Sequence, residues 1–231
     1  MKKLVFVVIL IFITWVSCGL SKDINEEEIG INYFKNVKKL SFDKFEYSER
    51  WKGLIIEDNY NINDNDLEYL KKIPKLEQLT ISQNNITDKG IKEIQNLKKL
   101  EILTINEAQL TDAGMKYIGQ LANLEKLDIS QTKVTDEGLK YLQGLKKLRE
   151  LNLMYNQITD KGIEYIKDLP LEVLYLTGTQ VSDKSIPLLE KMKTLEELVI
   201  DKTKITPQGA KRLEDKLSAI VRYADEDFSR E

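Results

Sequence analysis

The sequence contains no histidine and only one cysteine among its 231 residues. Without histidine, the chain cannot form a serine–histidine or cysteine–histidine nucleophile system, and it lacks the commonest metal ligand. With Cys18 alone it cannot form an internal disulfide bond, so its stability must come from a buried apolar core. P-loop and dinucleotide-binding glycine motifs are missing as well. We therefore expect no catalytic site, no metal site and no cofactor.

Charge of one sign is not concentrated anywhere in the chain. The 35 basic and 38 acidic residues give a net charge of −3 and are interspersed. Nucleic-acid binding normally needs a basic stripe, so we expect no nucleic-acid partner. A carbohydrate-active enzyme is a remote alternative, because it needs two carboxylates in environments that push their pKa values apart, whereas these carboxylates fall at periodic, solvent-facing positions.

A pentapeptide recurs along the chain at a fixed interval. The sequence ITDKG at 86–90 returns at 158–162, with LTDAG at 110–114 and VTDEG at 134–138 between them. The period is therefore 24 residues, and related units fill residues 51–218. We number seven repeats by their first residues, which are Trp51, Leu76, Leu100, Leu124, Leu148, Leu171 and Leu195.

Each repeat combines a strand pattern with a short helix pattern. Apolar residues alternate at positions 4 and 6, as in Leu79 and Ile81, which predicts a strand with one buried face. Positions 16, 19 and 22 are apolar at a helical spacing, and the preceding Thr-Asp pair is a helix-start signal. The recurrent glycine at position 15, for example Gly138, disfavours the helix, so we expect it to permit close approach to the neighbouring repeat.

One strand and one short helix cannot bury their own apolar faces, so the repeats must stack. The predicted fold is an α/β solenoid with a curved parallel sheet on its concave face and short helices on its convex face. Residues 29–50 are predicted to form an N-terminal cap, and 219–231 a C-terminal cap and tail, with a lengthened closing helix that ends near Tyr223. We expect an irregular convex side in repeat six, where Ser185 replaces the glycine and Pro187 interrupts the helix.

The pattern L-x-x-L-x-L followed by I-T-D-x-G resembles the leucine-rich repeat family over residues 51–218. The ending is similar to a subclass that often carries cysteine at position 9. Here position 9 holds mainly asparagine and threonine, which can still bond the turn backbone. No F-box precedes the repeats, so a ubiquitin-ligase role finds little support. The resemblance implies a binding module rather than an enzyme.

The N-terminus has the composition of a bacterial secretory signal. Two lysines precede an apolar run at 4–16, which is short for a membrane span. We predict a signal peptide at 1–17, lipidation of Cys18 in a segment that resembles a lipobox, and an acidic tether at 18–28. The segment is similar to those of bacterial lipoproteins, including the looser lipoboxes of spirochaetes. Cleavage after Cys18 to give a soluble secreted or periplasmic protein, or an uncleaved anchor, are the alternatives.

The solvent-facing strand positions change in character along the solenoid. They are polar in repeats two and four, but repeats five to seven present aromatic, Met and aliphatic side chains, which is the composition of a protein-binding hot spot. We call this predicted site the tyrosine patch, and it consists of Asn152, Met154, Tyr155, Val173, Tyr175, Thr177 and Val199. Alternatively, Met154, Tyr155 and Tyr175 only cover neighbouring strand backbone.

Together these features predict a monomeric, lipid-anchored protein of the bacterial cell envelope, on the outer membrane or cell surface, that binds a protein partner. The resemblance to bacterial lipoproteins favours an adhesin or other interaction protein. A scaffold that faces the periplasm and binds an envelope partner is the alternative.

Overall fold

The computed structural model describes residues 31–35, 52–57, 63–82 and 85–223. The predicted signal peptide, Cys18, the tether and the tail at 224–231 lie outside the described residues. Most of the predicted N-terminal cap lies outside them too.

A single sheet of nine parallel strands runs through the described part of the chain, and the strands follow one another in chain order. Equivalent residues of successive repeats are in register: Leu79 pairs with Leu103, Leu103 with Leu127 and Leu127 with Leu151. The strands are β1 (Ile31–Lys35), β2 (Gly53–Glu57), β3 (Gln78–Ser82), β4 (Ile102–Asn106), β5 (Lys126–Asp128), β6 (Glu150–Asn152), β7 (Val173–Tyr175), β8 (Glu197–Val199) and β9 (Ile220–Arg222). This register confirms the predicted solenoid fold.

Short helices return the chain from one strand to the next. Most begin after a threonine in extended conformation whose hydroxyl accepts a hydrogen bond from the helix, as Thr87 does from the Lys89 N–H. The α-helices are α1 (Asp88–Ile94), α2 (Asp112–Ile118), α3 (Asp136–Leu139), α4 (Asp160–Ile166), α5 (Ile186–Leu189) and α6 (Pro207–Lys216), and 3₁₀ helices span Asp66–Lys72, Lys140–Gly144 and Asp183–Ser185.

The core is a continuous stack of aliphatic side chains between the sheet and the helices. In repeat four, for example, Leu124 and Ile129 are fully buried and Leu127 is 1% exposed. The inward strand positions and the apolar helix positions of neighbouring repeats belong to one buried cluster. No repeat has a core of its own, so each repeat depends on its neighbours for burial.

Aspartates near the helix starts, such as Asp88 after the capping Thr87, also bond the next repeat. Asp88 accepts from the backbone N–H of Thr111 at 2.8 Å and from the Thr111 hydroxyl at 2.6 Å. The same pair of bonds joins Asp64 to Thr87, Asp112 to Thr135, Asp136 to Thr159, Asp160 to Ser182 and Asp183 to Thr206. The helix starts are therefore linked by an aspartate–threonine ladder.

The recurrent glycine lies against this ladder. A Cβ atom at Gly138 would lie 2.5 Å from Asp112 Oδ1 and 2.9 Å from Val134 Cγ1. The close approach expected from the sequence is confirmed, and the neighbouring group is the ladder carboxylate. In repeat six, Ser185 fills this space and its hydroxyl donates to Asp160 at 2.5 Å.

Two further expectations from the repeats are confirmed. The convex side of repeat six is irregular, because its 3₁₀ turn passes into a four-residue helix with proline near its start. Position 9 bonds the turn backbone: the Asn156 amide donates to the Ile129 carbonyl at 2.7 Å, and its Oδ1 accepts from the Thr132 N–H at 3.0 Å.

The predicted end of the closing helix is wrong. Helix α6 ends at Lys216, Leu217 is extended, and the chain then forms β9 instead of continuing helically to Tyr223. The strand is favoured because it satisfies the edge of β8: the Ile220 N–H donates to the Glu196 carbonyl at 2.8 Å, and the Ile200 N–H donates to the Arg222 carbonyl at 2.8 Å. At the other end, β1 pairs with β2, so the predicted cap region contributes a strand.

Candidate functional site: the sheet wall of repeats five to seven

The sheet wall is the face of the sheet turned away from the helices. Because side chains alternate along a strand, positions 3, 5 and 7 of each repeat point to this face. The register places Asn152, Tyr175 and Val199 side by side across β6, β7 and β8. Val173 precedes Tyr175 on the same face of the same strand. The structure thus brings these members of the tyrosine patch onto neighbouring strands.

Exposure divides the members of the tyrosine patch. Tyr155 is 47% exposed and is one of the few large apolar residues open to solvent in the described part of the chain. Asn152, Met154, Val173 and Tyr175 are partly exposed.

Two members are not exposed as expected. Thr177 is 6% exposed and Val199 is 8% exposed, so a partner cannot contact them extensively. Val199 lies between the long side chains of Tyr175 and Arg222 in its row. The Thr177 hydroxyl oxygen is buried without a hydrogen-bond partner in the described part of the chain. Both residues lie mostly beneath the accessible surface of the sheet wall.

Tyr155 has an unusual backbone conformation. Its φ is 56°, in the left-handed region that non-glycine residues rarely adopt. Glu107, Gln131 and Lys202 occupy position 8 of their repeats with φ of 51° to 54°, and Gly178 has φ 71° in repeat six. The Tyr155 ring packs over Gly178, where an added Cβ would lie 2.7 Å from Tyr155 Cε1. The tyrosine therefore covers the adjacent turn and also exposes part of its ring.

Polar side chains connect the strands of the wall, and except for Asn152 they lie outside the predicted patch. The Asn152 amide donates to Asp128 Oδ2 at 3.0 Å, and Asp128 Oδ1 accepts from the Ser130 N–H at 2.9 Å. Lys126 pairs with Glu150, and Arg222 pairs with Glu197 at 2.8 Å. The acidic residues at position 3 of repeats five and seven were a sequence signal. Arg222 had none, since its strand was predicted as helix.

The electrostatic surroundings of Tyr175 are dominated by carboxylates. Burial is the main cause that raises the pKa of the Tyr175 phenol, and the charges of Glu150, Glu197 and Asp128 raise it further. The positive charge of Arg222 opposes them without cancelling the shift. The phenol is therefore neutral at physiological pH.

Neither a metal-binding group nor a membrane-spanning helix occurs among the described residues. They contain no group of three or more His, Cys, Asp or Glu side chains that could hold a metal ion. None of the helices in the described ranges is long and apolar enough to cross a bilayer.

The fold and its sheet wall define a repeat solenoid of the kind that binds other macromolecules through its sheet face. Residues 98–158 match a family model described as leucine rich repeat, and residues 72–94 match a second model of that description. The matches confirm leucine-rich repeats within these residues, as the 24-residue pattern predicts. The sequence matches no curated protein.

Two solved structures with a similar fold are internalins of Listeria monocytogenes. An internalin (inlF) superposes with a TM-score of 0.64 at 24% identity, over 82% of this chain and 54% of that chain. Internalin C2 (inlC2) superposes with a TM-score of 0.61 at 24% identity, over 84% of this chain and 79% of that chain. The chain thus spans about half the length of the first. At this identity the likeness shows the fold alone.

Proposed function

We propose that the protein is a non-enzymatic binding module that holds a protein partner on the sheet wall of repeats five to seven. The observation that carries the proposal is a pair of accessible tyrosines on adjacent repeats: Tyr155 is 47% exposed and packs over Gly178 of repeat six, and Tyr175 of repeat six is partly exposed. Tyrosine supplies a large, rigid contact area and is enriched at the centre of protein interfaces. The leucine-rich repeat match supports a protein-interaction role.

The wall is also preorganised. Asp128, Asn152 and Glu150 are each held by a hydrogen bond or ion pair to a neighbouring strand. A partner that binds here does not have to order these side chains, which lowers the entropic cost of association.

The test is a double substitution, Tyr155→Ala with Tyr175→Ala. Peptides selected from a displayed random library on the full-length protein serve as the probe, and their affinity is measured for wild type and variant. We expect the double variant to lose binding at least tenfold while its secondary structure and unfolding cooperativity are retained. Tyr141→Ala is the matched control, because Tyr141 is 36% exposed but lies in the 3₁₀ helix on the opposite side.

If every selected peptide binds the double variant as tightly as wild type, the wall of repeats five to seven is not the site. If Tyr141→Ala weakens binding equally, the loss of binding does not depend on where the tyrosine lies, and the proposed location of the binding site is wrong.

We also propose that Cys18 is lipidated and anchors the repeat domain to the bacterial cell envelope. Residue composition before and after Cys18 supports this proposal. Wild-type protein should partition into the detergent phase, and Cys18→Ser should partition into the aqueous phase. Equal partitioning of the two would contradict lipidation and favour the uncleaved anchor or a secreted or periplasmic soluble form.

Two orientations remain open to the same proposal. A surface-exposed domain would act as an adhesin, and a domain facing the periplasm would act as a scaffold for an envelope partner. Protease treatment of intact cells separates them, because only a surface-exposed repeat domain is lost.

A further inference from the structure

The tyrosine patch has a carboxylate on each side of its apolar centre. Glu150, Val173 and Glu197 are register partners across β6, β7 and β8, so the valine lies between the two glutamates. Neighbouring strands are about 4.8 Å apart, which brings both carboxylates within reach of a group seated over Val173. Tyr175 lies two residues further along the same face.

Both carboxylates are partly buried on the sheet wall. The Glu150 and Glu197 side chains are each 26% exposed, and their partners Lys126 and Arg222 are 34% and 61% exposed. The partners lie on the outer sides of the row, on β5 and β9. Since an ionised carboxylate has about four lone-pair sites, each can accept a further donor from the Val173 side.

The charged side chains around the patch include more carboxylates than cations. Glu150, Glu197 and Asp128 act together on the Tyr175 phenol and, with burial, raise its pKa. Only two cations, Lys126 and Arg222, pair with this group of three carboxylates in the described bonds of the wall. An acidic segment placed there would meet three carboxylates.

We propose that the sheet wall recognises a lysine or arginine side chain of the partner, which seats its methylene stem on Val173 and Tyr175 and its charged head between Glu150 and Glu197. The stem suits the apolar floor, since basic side chains bury their methylenes while the head stays hydrogen-bonded. The Tyr175 ring offers a cation–π face to the same group. This inference rests on the proposed binding function and specifies its partner as a basic protein segment.

The test uses a random peptide library displayed on phage, with the immobilised full-length protein as bait. Enriched peptides should contain Lys or Arg at a fixed position. Replacing that residue by norleucine, which keeps the stem and removes the charge, should weaken binding about tenfold or more. Glu150→Gln with Glu197→Gln should weaken the same peptides by a similar factor and reduce the salt dependence of binding.

Glu172→Gln is the matched control for the glutamate substitutions. Glu172 also pairs with an arginine of the neighbouring repeat, at 3.6 Å from Arg149, but it is not in the Glu150–Val173–Glu197 row. We expect this variant to bind the selected peptides as wild type does.

The outcomes separate the inference from the function on which it rests. Peptides that lose binding on Tyr155→Ala with Tyr175→Ala, but carry no required basic residue or ignore the glutamate substitutions, overturn the inference and leave the binding wall intact. A library that yields no peptide dependent on the two tyrosines overturns both.

Discussion

Asp88 and Thr111 lie 23 residues apart in sequence and are joined by two hydrogen bonds, from the Thr111 backbone N–H at 2.8 Å and from its hydroxyl at 2.6 Å. The same hydroxyl accepts from the Ala113 N–H and so caps helix α2. One threonine therefore starts its own helix and receives the carboxylate of the preceding repeat. Through these shared groups, the ladder couples the start of each helix to the position of its neighbour.

Removing one ladder carboxylate should destabilise the solenoid. Asp112→Ala deletes both acceptors of Thr135 and leaves its partly buried backbone N–H without the carboxylate that it bonds at 2.8 Å. We expect a loss of about 2–3 kcal/mol in the free energy of unfolding, measured by chemical denaturation. Glu164→Ala, an exposed residue on helix α4, is the control and should change stability by less than about 0.5 kcal/mol. Equal effects of the two substitutions would show that the ladder contributes nothing specific.

Glycine at position 15 should resist substitution because of the same ladder. A Gly138→Ala side chain would lie 2.5 Å from Asp112 Oδ1, and the carboxylate cannot move away without breaking its bonds to Thr135. We expect a loss of about 1–3 kcal/mol, although alanine has the better helix propensity by about 1 kcal/mol.

The control for Gly138 is Gly144→Ala, since an added Cβ there meets nothing within 4 Å. That variant should be as stable as wild type or slightly more stable. A Gly138→Ala protein that gains stability like Gly144→Ala would refute the steric explanation.

Much of the fold follows from the 24-residue period, because the hydrophobic spacing, the capping threonines and the constant spacing of the repeats all specify the same stacked unit. The ladder does not follow from it so directly: Asp88 after Thr87 has the sequence of an ordinary helix start, and its cross-repeat bond exists only once the repeats are stacked. The glycine was informative because its cost within a helix demanded a compensating close contact.

The C-terminal error and the buried patch residues have a common cause. Residues Leu213 to Val221 keep helical spacing, but the open edge of β8 provides hydrogen bonds that favour β9. Likewise, Val199 occupies an outward strand position but is covered by its neighbours in the row. Sequence periodicity assigns a side chain to a face and carries no information about the length of the side chains beside it. The left-handed conformation at position 8 could not be predicted either, because the residue type at this position differs from repeat to repeat.

The stability of repeat six should depend on pH through Asp160. Burial favours the neutral acid, but hydrogen bonds from the Ser185 and Ser182 hydroxyls and the Ser182 N–H outweigh it and lower the pKa of Asp160 below its usual value. A carboxyl whose pKa is lower in the folded state stabilises the protein above the unfolded pKa, about 3.9, and this contribution is lost as pH falls through the folded pKa.

The measurement is the free energy of unfolding of wild type and Asp160→Asn between pH 7 and pH 2.5. The difference between them should be constant near neutral pH and shrink below about pH 4. Ser185→Ala removes one donor, so the pKa of Asp160 should rise toward its unfolded value and the total stability lost in acid should be smaller than in wild type. A pH-independent difference between wild type and Asp160→Asn would contradict this role.

The left-handed conformation of Tyr155 gives a prediction that separates the effect of the backbone conformation on stability from the effect of the ring. With φ at 56°, position 155 penalises β-branched residues most and tolerates asparagine. Tyr155→Asn and Tyr155→Val both remove the ring from Gly178, so the difference between them reports the backbone alone. We expect the valine variant to be less stable than the asparagine variant by about 1–2 kcal/mol in chemical denaturation. Lys202, with φ 53° in repeat seven, provides a replicate, and there too the valine variant should be less stable than the asparagine variant. If valine and asparagine are equally stable at both positions, the turn relaxes out of the left-handed region, and the ring of Tyr155 is positioned by its contact with Gly178 alone.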